Sequence, residues 1–392
     1  MSLRLIAKYL LAAFSLSALL LGLFRPAHAE SIERLDDASG GAIESVRAVY
    51  VAGKVVTAVR TGEGELKVIA WSLSDSGSLA RLGEATAGAI GPDYDIAATG
   101  ANAVVTAVAD AAGELKLIEW SMSRNGSQIN RGWEASAGAV DQIELERVNG
   151  NMVISAVSDG AGNLKLIAWD AGSGERMGDA GAGAVSRIAM SRAGNCGGSP
   201  YVSDSNLVTA VRDAAGELKL ISWCSYGQGQ VAGTIVRKSD VSAGAVSEFD
   251  LVYHDLEALY PASAKVLTTP VRDSAGEMRV IVWHLGTDYA QFFSRIGHAQ
   301  AGAIGAVSGA SLPSPGAFDD RLVTAVSDGD GNLKVISWVL VALPAPPIRH
   351  LDESAGTIGS VAAVAAPGSG LFVTALRDGT GNLKLISWRH PL

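Results

Sequence analysis

Seven short apolar segments recur along the chain and determine its predicted architecture. Their pattern is L-K-[LV]-I-x-W, relaxed to M-R-V-I-V-W in the fifth copy. Apolar residues occupy both faces of each segment, which is typical of a β-strand covered on both sides. The segments end at Trp71, Trp120, Trp169, Trp223, Trp283, Trp338 and Trp388. This spacing of about fifty residues indicates an internal repeat.

Each repeat has room for four short strands, as the sixth copy illustrates. Residues 301–304 open the repeat and lead into strand a, and residues 322–328, rich in Val and Thr, form strand b. Residues 329–332 form a turn with two glycines, residues 333–338 form strand c, and strand d begins at residues 347–351. Four strands in such a period are typical of β-propeller blades. We therefore predict an all-β fold, a seven-bladed β-propeller of four-stranded antiparallel blades.

The two ends of the chain are predicted to meet. Residues 31–36 repeat the strand d pattern with no strands a to c before them, while the last repeat stops after strand c. The N-terminal strand is therefore expected to pair into the last blade, which closes the ring and removes open sheet edges. We predict one domain over residues 30–392, in which residues 30–38 are the outer strand of the last blade. The blades are predicted near residues 39–86, 87–136, 137–181, 182–242, 243–300, 301–354 and 355–392.

Residues 1–29 have the features of a secretory signal peptide. Arg4 and Lys8 form a basic start, an apolar run covers residues 9–24, and the sequence A-H-A at residues 27–29 matches a cleavage site. An uncleaved membrane anchor is the alternative, although the apolar run is short for a membrane span. We expect an exported protein, periplasmic or secreted, with no stable membrane span after cleavage.

The charge of the chain argues against nucleic acid as a partner. The chain has 31 Lys and Arg against 40 Asp and Glu, and its formal net charge is −9. Cleavage of the signal peptide removes Arg4, Lys8 and Arg25 and makes the mature chain more acidic still. Such a protein repels a phosphate backbone on average.

The order of these patterns resembles the blades of WD-repeat proteins. In that family an Asp in the b–c turn, a Ser or Thr on strand b and the Trp that ends strand c form a hydrogen-bonded unit. The matching turn residues are Asp110, Asp159, Asp213, Asp273, Asp328 and Asp378, and the matching strand b residues are Thr57, Thr106, Ser155, Thr209, Thr269, Thr324 and Thr374. The first repeat has Thr61 in place of Asp, and all seven lack the family's Gly-His pair. The resemblance implies the propeller fold but no particular function, and other secreted bacterial propellers, lectins among them, are similar at this level.

The residues that recur in every repeat are most simply explained as scaffold. We predict that the seven Trp side chains pack between blades with the indole N–H bonded to a neighbour, and the alternative is seven platforms for sugar rings. A basic residue on strand c is expected to pair with the turn Asp or with a carboxylate of a neighbouring blade. These basic residues are Lys67, Lys116, Lys165, Lys219, Arg279, Lys334 and Lys384.

Strand direction places the a–b and c–d loops on one face of the predicted propeller. In repeats four to six these loops are long and irregular, and such loops on a rigid scaffold often carry binding sites. Cys196 and Cys224 both belong to this face, which together with export favours a disulfide over two unpaired thiols. The candidate ligand-binding residues are Tyr201, His254, Asp255, Tyr260, His284, Asp288, Tyr289, Asp319 and Asp320. The alternative is that they are ordinary solvated loop residues.

Sequence motifs for catalysis or metal binding are scarce. The patterns H-x-x-x-H, C-x-x-C and G-x-S-x-G are missing. The sequence D-G-D-G-N at residues 328–332 starts like a calcium loop, but Leu333 and Val339 stand where Gly and Glu are required. We therefore predict no catalytic residue, no metal and no cofactor.

These observations favour an exported, non-catalytic, lectin-like binding protein with several equivalent ligand sites between blades, because multivalent recognition repeats one site many times. The expected ligand is a glycan or another small molecule. Two alternatives stay open. One is a periplasmic or envelope scaffold that binds another protein through the irregular loops of repeats four to six. The other is a carbohydrate-active enzyme on the same face, which requires a pair of carboxylates at a set separation.

Overall fold

A computed structural model describes residues 31–148, 151–196, 204–227, 229–255, 265–286, 292–313, 320–340 and 345–391. The predicted signal peptide lies outside these residues. Within the described ranges, no helix has the length and apolar character needed to span a membrane.

The described structure consists almost entirely of antiparallel strands, with one short 3-10 helix at Gly229–Val231. In chain order the strands are β1 (Glu33–Val51), β2 (Lys54–Thr61), β3 (Glu65–Leu73), β4 (Leu79–Gly100), β5 (Ala103–Asp110), β6 (Glu114–Met122), β7 (Ile129–Arg147), β8 (Met152–Asp159), β9 (Asn163–Asp170), β10 (Arg176–Arg192), β11 (Asp204–Asp213), β12 (Glu217–Tyr226), β13 (Ile235–Phe249), β14 (Val252–Asp255), β15 (Lys265–Asp273), β16 (Glu277–Leu285), β17 (Phe293–Leu312), β18 (Asp320–Asp328), β19 (Asn332–Leu340), β20 (Ile348–Ala365), β21 (Leu371–Asp378) and β22 (Asn382–Arg389).

Seven long strands each pair with two different partners along their length. β4, for example, pairs with β3 from Leu79 to Ala89 and with β5 from Ile90 to Gly100. The same arrangement links each group of strands to the next, so that one hydrogen-bonded network runs through the molecule. We define a repeat unit as four consecutive segments of the chain. They are the second half of a long strand, the two strands that follow it, and the first half of the next long strand.

β1 closes this network. Its first half, Glu33 to Ala42, pairs with β22, and its second half, Ile43 to Val51, pairs with β2. The result is a single closed antiparallel β-barrel of 21 strands, and the short strand β14 is an additional strand beside β15.

The prediction of a seven-bladed β-propeller with separate four-stranded blades, like those of WD-repeat proteins, is wrong. It treated the S-A-G-A segments between strands d and a as loops, because Gly and small polar residues often mark turns. In the structure these segments stay in the strand, and five of the seven equivalent glycines, Gly88 and Gly138 among them, have no positive φ, whereas Gly244 and Gly302 do. The amide of Ile90 donates to the carbonyl of Gly64 at 2.9 Å, and six equivalent bonds fix the other segments in the same way. Strands d and a are therefore one strand.

The seven Trp residues are buried anchors that bond within their own repeat unit and pack in a core cluster with the preceding unit, as Trp120 does with Val56 and Val68. Each is at most 1 % exposed and donates its indole N–H to a Thr or Ser hydroxyl on the neighbouring strand at 2.9–3.1 Å. The turn Asp does not join this bond. Asp110, for example, accepts hydrogen bonds from the amides of Ala112 and Glu114 in its own turn, at 2.8 and 3.1 Å. Because the indoles are fully covered, they offer no face on which a sugar ring could stack.

Candidate functional site

Two pockets of the same size occupy equivalent places in the third and seventh repeat units. Each has a volume of about 270 Å³ and lies beside the turn that joins the two central strands of its unit. The equivalent lining residues are Asp159 and Asp378, Lys165 and Lys384, Arg176 and Arg34, Ile167 and Ile386, Gly138 and Gly356, and Gly160 and Gly379. We call these the repeat pockets.

A carboxylate holds the two cations of each repeat pocket. In the third unit the ammonium of Lys165 lies 3.3 Å and the guanidinium of Arg176 lies 3.1 Å from Asp179. The same triad recurs in five other units as Lys67, Arg81 and Glu84; Lys116, Arg131 and Glu134; Lys219, Arg237 and Asp240; Lys334, Arg349 and Asp352; and Lys384, Arg34 and Asp37. In these units the expected pairing of the strand c cation with the turn Asp or a neighbouring blade is therefore wrong, because the carboxylate comes from the adjacent strand of the same unit.

The triad carboxylates are stabilised in their charged form. The hydrogen bond from Lys116 holds the pKa of Glu134 below its usual value, and the hydrogen bond from Lys219 does the same for Asp240. These groups therefore stay ionised at neutral pH and keep Lys and Arg in place beside the pocket.

The fifth repeat unit departs from this arrangement. His298 takes the place of the carboxylate, and the guanidinium of Arg295 lies 3.3 Å from its Nδ1. The strand c cation is Arg279, which pairs with the turn carboxylate of Asp273 at 2.7 Å. The pairing expected from the sequence is thus present in this unit.

A separate cavity, of about 350 Å³, lies at the centre of the molecule and is lined by all seven repeat units. We call it the channel cavity. In each unit, one lining residue lies opposite a residue of the adjacent strand, namely the residue that follows the Trp-bonded Thr or Ser. These seven lining positions are therefore equivalent. They are Arg47, Asp95, Glu144, Ala189, Asp250, Ser308 and Ala362.

Three of these residues bond to the backbone of the next unit. The carboxylate of Asp95 accepts from the amide of Leu145, and that of Asp250 accepts from the amide of Gly309, both at 2.7 Å. The hydroxyl of Ser308 accepts from the amide of Ala363 at 3.1 Å. These bonds join neighbouring units around the channel cavity.

The carboxyl groups of the channel cavity are costly to ionise. Burial raises the pKa of Asp95 to about 6 and that of Glu146 to about 7. Burial, and then the charge of Asp95, also raise the pKa of Glu144 well above its usual value. The cation of Arg47, whose Nε lies 3.9 Å from Asp95, opposes these increases only in part.

The structure brings together two of the candidate loop residues, His254 and Asp320. His254 is fully buried, with Nδ1 2.9 Å from the carboxylate of Asp320 and Nε2 3.0 Å from the hydroxyl of Thr268. This row has the residue types of a nucleophile triad, but Thr268 is also fully buried, so no substrate reaches it. The row fastens β14 and β15 to β18.

The other candidate residues are not gathered into this row. His284 lies on β16, where it pairs with Val266, the same residue that pairs with His254 from the other side. The backbone of Asp255 ends β14 opposite Lys265. The remaining candidates lie outside the described residues, and they are Tyr201, Tyr260, Asp288, Tyr289 and Asp319.

The change Asp320→Asn tests the structural role of this row. We expect a loss of about 1–3 kcal/mol in the free energy of unfolding, because a buried partner of His254 loses its charge and one acceptor atom. Chemical denaturation measures this loss, and Asp330→Asn at an exposed turn is the control. An unchanged midpoint for Asp320→Asn would contradict the structural role.

Cys196 and Cys224 are joined by a disulfide. With Asp204 they form the only group of three potential metal ligands found among the described residues. Because both sulfur atoms are bonded to each other, this group has no thiolate to offer a metal ion.

The channel cavity was missed by sequence reasoning, although a signal for it exists. When the seven repeats are aligned on the Trp-bonded hydroxyl, charged residues occupy a position that holds Ala or Ser in the other units. Charged residues among small ones at a repeat position that is a buried alanine in two units indicate a site that is not simply scaffold. Comparison of the chain with models of known protein families gives no match, and comparison with curated proteins also gives none.

Proposed function

We propose that the protein is an exported, non-catalytic binding protein that holds small, hydroxyl-rich ligands, such as the residues of a glycan, in its repeat pockets. The observation that carries the proposal is the recurrence of one pocket, about 270 Å³ in volume and built from equivalent residues, in two repeat units. This volume suits a single small polar group rather than a large cofactor.

The charges of a repeat pocket favour a neutral ligand over an anion. In the third unit Lys165 and Arg176 are balanced by Asp179 and by the turn carboxylate Asp159. A phosphate or sulfate would have to displace a carboxylate that already holds both cations. Sugar hydroxyls both donate and accept hydrogen bonds, so they suit a pocket with fixed donors and acceptors.

Those residues of the long loops in repeats four to six that the structure describes support the alternative functions less well. A catalytic role for His254 and Asp320 would require access from solvent, and both side chains are buried. The exposed large apolar residues of the described chain are Val231, Val236 and Ile348. They are three side chains, on the 3-10 helix, β13 and β20, which is little apolar surface for a stable protein interface.

Blocking individual repeat pockets tests the proposal. Gly138 and Gly356 line the two pockets and have no positive φ. A Cβ added to either glycine would meet no atom within 4 Å. We therefore expect a Leu at either position to obstruct the pocket without disturbing the packing around it. After a glycan array has identified a ligand, we expect Gly138→Leu to remove one binding site per chain and the double variant with Gly356→Leu to remove two, as measured by titration calorimetry.

Gly100→Leu is the matched control, because Gly100 also has ordinary space around it and lines neither pocket. It should leave the number of sites unchanged. A single site per chain, or a stoichiometry that ignores both Leu substitutions, would rule out the repeat pockets as the binding sites.

A further inference from the structure

The two repeat pockets share three features that set them apart from the other repeat units. The turn beside each pocket begins with an Asp, a Gly follows that Asp directly, and the wall opposite contains a glycine without a positive φ. Over the seven turns, all of which lie within the described residues, only the third and seventh units combine these features. The residues are Asp159, Gly160 and Gly138 in the third unit and Asp378, Gly379 and Gly356 in the seventh.

The glycine after the turn Asp keeps one corner of the pocket open. A Cβ added to Gly160 would lie 3.1 Å from the Cβ of Ala139, and a Cβ added to Gly379 would lie 3.1 Å from the Cβ of Thr357. Both partners line the same pocket as their glycine. A methyl group at this position would therefore join the turn to the long strand opposite and take up space that a ligand needs.

The second and fourth units carry that methyl group. Both have the turn Asp and the glycine without a positive φ, but an alanine follows the Asp and another alanine stands opposite. At these three positions the methyl group is thus the one difference from the units with a pocket. The alanine pairs are Ala111 and Ala89 in the second unit and Ala214 and Ala184 in the fourth.

The remaining three units depart from the pattern in other ways. The first has Thr61 in place of the turn Asp, so it lacks the carboxylate. The fifth has a Ser after the turn Asp, and Arg279 pairs with Asp273, which is only 7 % exposed. The sixth has Gly329 after its turn Asp, but its wall glycine, Gly302, has a φ of 59°, which reorients the adjoining peptide groups.

The third and seventh units are far apart in the molecule. In the closed network two units separate them on one side and three on the other, and no two of the seven units can be farther apart in this order. One small ligand therefore fills one pocket, while the sheet holds the two pockets at a fixed separation. Two such sites can hold two different partner molecules at once.

We infer that the residue after the turn Asp decides which repeat units bind, and that the protein therefore has two ligand sites with which it cross-links multivalent glycans. This inference rests on the proposed function, because it requires that the repeat pockets bind glycan residues. It adds the number of sites, the residue that sets this number, and the kind of partner, which is a molecule that carries the ligand many times.

Dynamic light scattering with multivalent probes tests the cross-linking. The probes are four albumin conjugates that carry many copies of glucose, galactose, mannose or N-acetylglucosamine. With a conjugate that binds, we expect the unchanged protein to increase the mean particle mass at least about tenfold. Gly160→Ala should bind the same conjugate through one site per chain without particle growth, because one site cannot link two conjugates. We expect this variant to fold, since the second and fourth units carry Ala at this position.

The change Ala214→Gly provides the opposite test. Added to Gly160→Ala, it should open the fourth unit, bring the number of sites back to two and restore particle growth. Ala101→Gly in the same background is the control, because Ala101 lies in an exposed turn and lines neither repeat pocket. It should leave one site and no particle growth. Failure of Ala214→Gly to restore the second site would overturn the role of this position.

Titration calorimetry with the free sugar separates this inference from the proposed function. If Gly138→Leu removes one site and Gly160→Ala removes none, the repeat pockets bind glycan and the inference is wrong. The inference is also wrong if the unchanged protein gives no particle growth with any of the four conjugates. If neither substitution changes the number of sites, the proposed function fails and the inference fails with it.

Discussion

A chain that begins at Ala42 is expected to lose at least about 4 kcal/mol of folding free energy relative to one that begins at Ser31. The missing residues form nearly all of the first half of β1, which pairs with β22 from Arg389 to Lys384 and closes the barrel. The truncation also removes Ile32, which is 2 % exposed and packs in one core cluster with Trp388. It leaves β22 with a free edge.

Two measurements check this result. Chemical denaturation should show the loss of stability, and size-exclusion chromatography should show dimers or larger species, because an open β22 edge pairs with other chains. Asp37→Asn in the complete mature chain is the control. It removes only the partly exposed ion pairs of Asp37 with Lys384 and Arg34 and should cost less than about 1 kcal/mol. A monomeric truncated chain of unchanged stability would show that β1 does not close the sheet.

The central strands of each repeat could be predicted well from the sequence, because the information that defines them is local. Strand b was predicted at residues 322–328 and strand c at residues 333–338, and β18 and β19 cover Asp320–Asp328 and Asn332–Leu340. The bond between Trp338 and Thr324 is also present, at 2.9 Å. Apolar alternation and the glycine-containing turn are enough to place these elements.

The long strands could not be predicted, because their continuity depends on partners far away in sequence. β20 runs without a break from Ile348 to Ala365, through the S-A-G-T segment that reads as a loop. Its Ile358 amide bonds to the carbonyl of Gly331 in the preceding turn, and such a bond is invisible in local sequence. Small residues allow a chain to remain extended as readily as they allow it to turn.

The channel cavity was hidden for a similar reason. Arg47, Asp95, Glu144 and Asp250 come from four repeats, and each one alone looks like a polar interruption of an apolar strand. Only the closed sheet brings them to one ring. The candidate loop residues were selected because they are not repeated, whereas the channel residues vary at a repeated position. A search for variation within the repeat identifies such residues more directly than a search for long loops.

The stability of the protein is expected to fall as the pH rises from about 5 to about 8. Burial raises the pKa of Glu146 to about 7 and that of Asp95 to about 6, and the pKa of Glu144 and of Asp250 also lies above its usual value. Well below pH 4 these groups are protonated in the folded and the unfolded chain alike. Between pH 5 and 8 the unfolded chain has already lost these protons while the folded chain still holds part of them, and the free energy of unfolding therefore decreases with pH.

The charged groups that face these carboxylates limit the loss of stability between pH 5 and pH 8. Arg47 and Arg187 lower the pKa of Glu144, and Arg192 lowers that of Glu146, while Asp95 and Asp250 act in the opposite direction. Because water in the channel reduces each contribution, we expect a total loss of about 2–4 kcal/mol between pH 5 and pH 8. The triad carboxylates make the free energy of unfolding rise with pH at lower pH, because their partners lower the pKa of Glu134, Asp240 and Asp37. Maximum stability should therefore lie near pH 5.

Denaturation curves at several pH values measure this dependence, and Glu146→Gln identifies its source. Without an ionisable group at this position, the slope between pH 6 and pH 8 should become shallower, while the stability at pH 5 should change little. Glu114→Gln, at an exposed position at the start of β6, should keep the slope of the unchanged protein. If stability rises from pH 5 to pH 8, the channel carboxylates are already ionised at acidic pH. The channel carboxylates would then be more fully hydrated than the structure indicates.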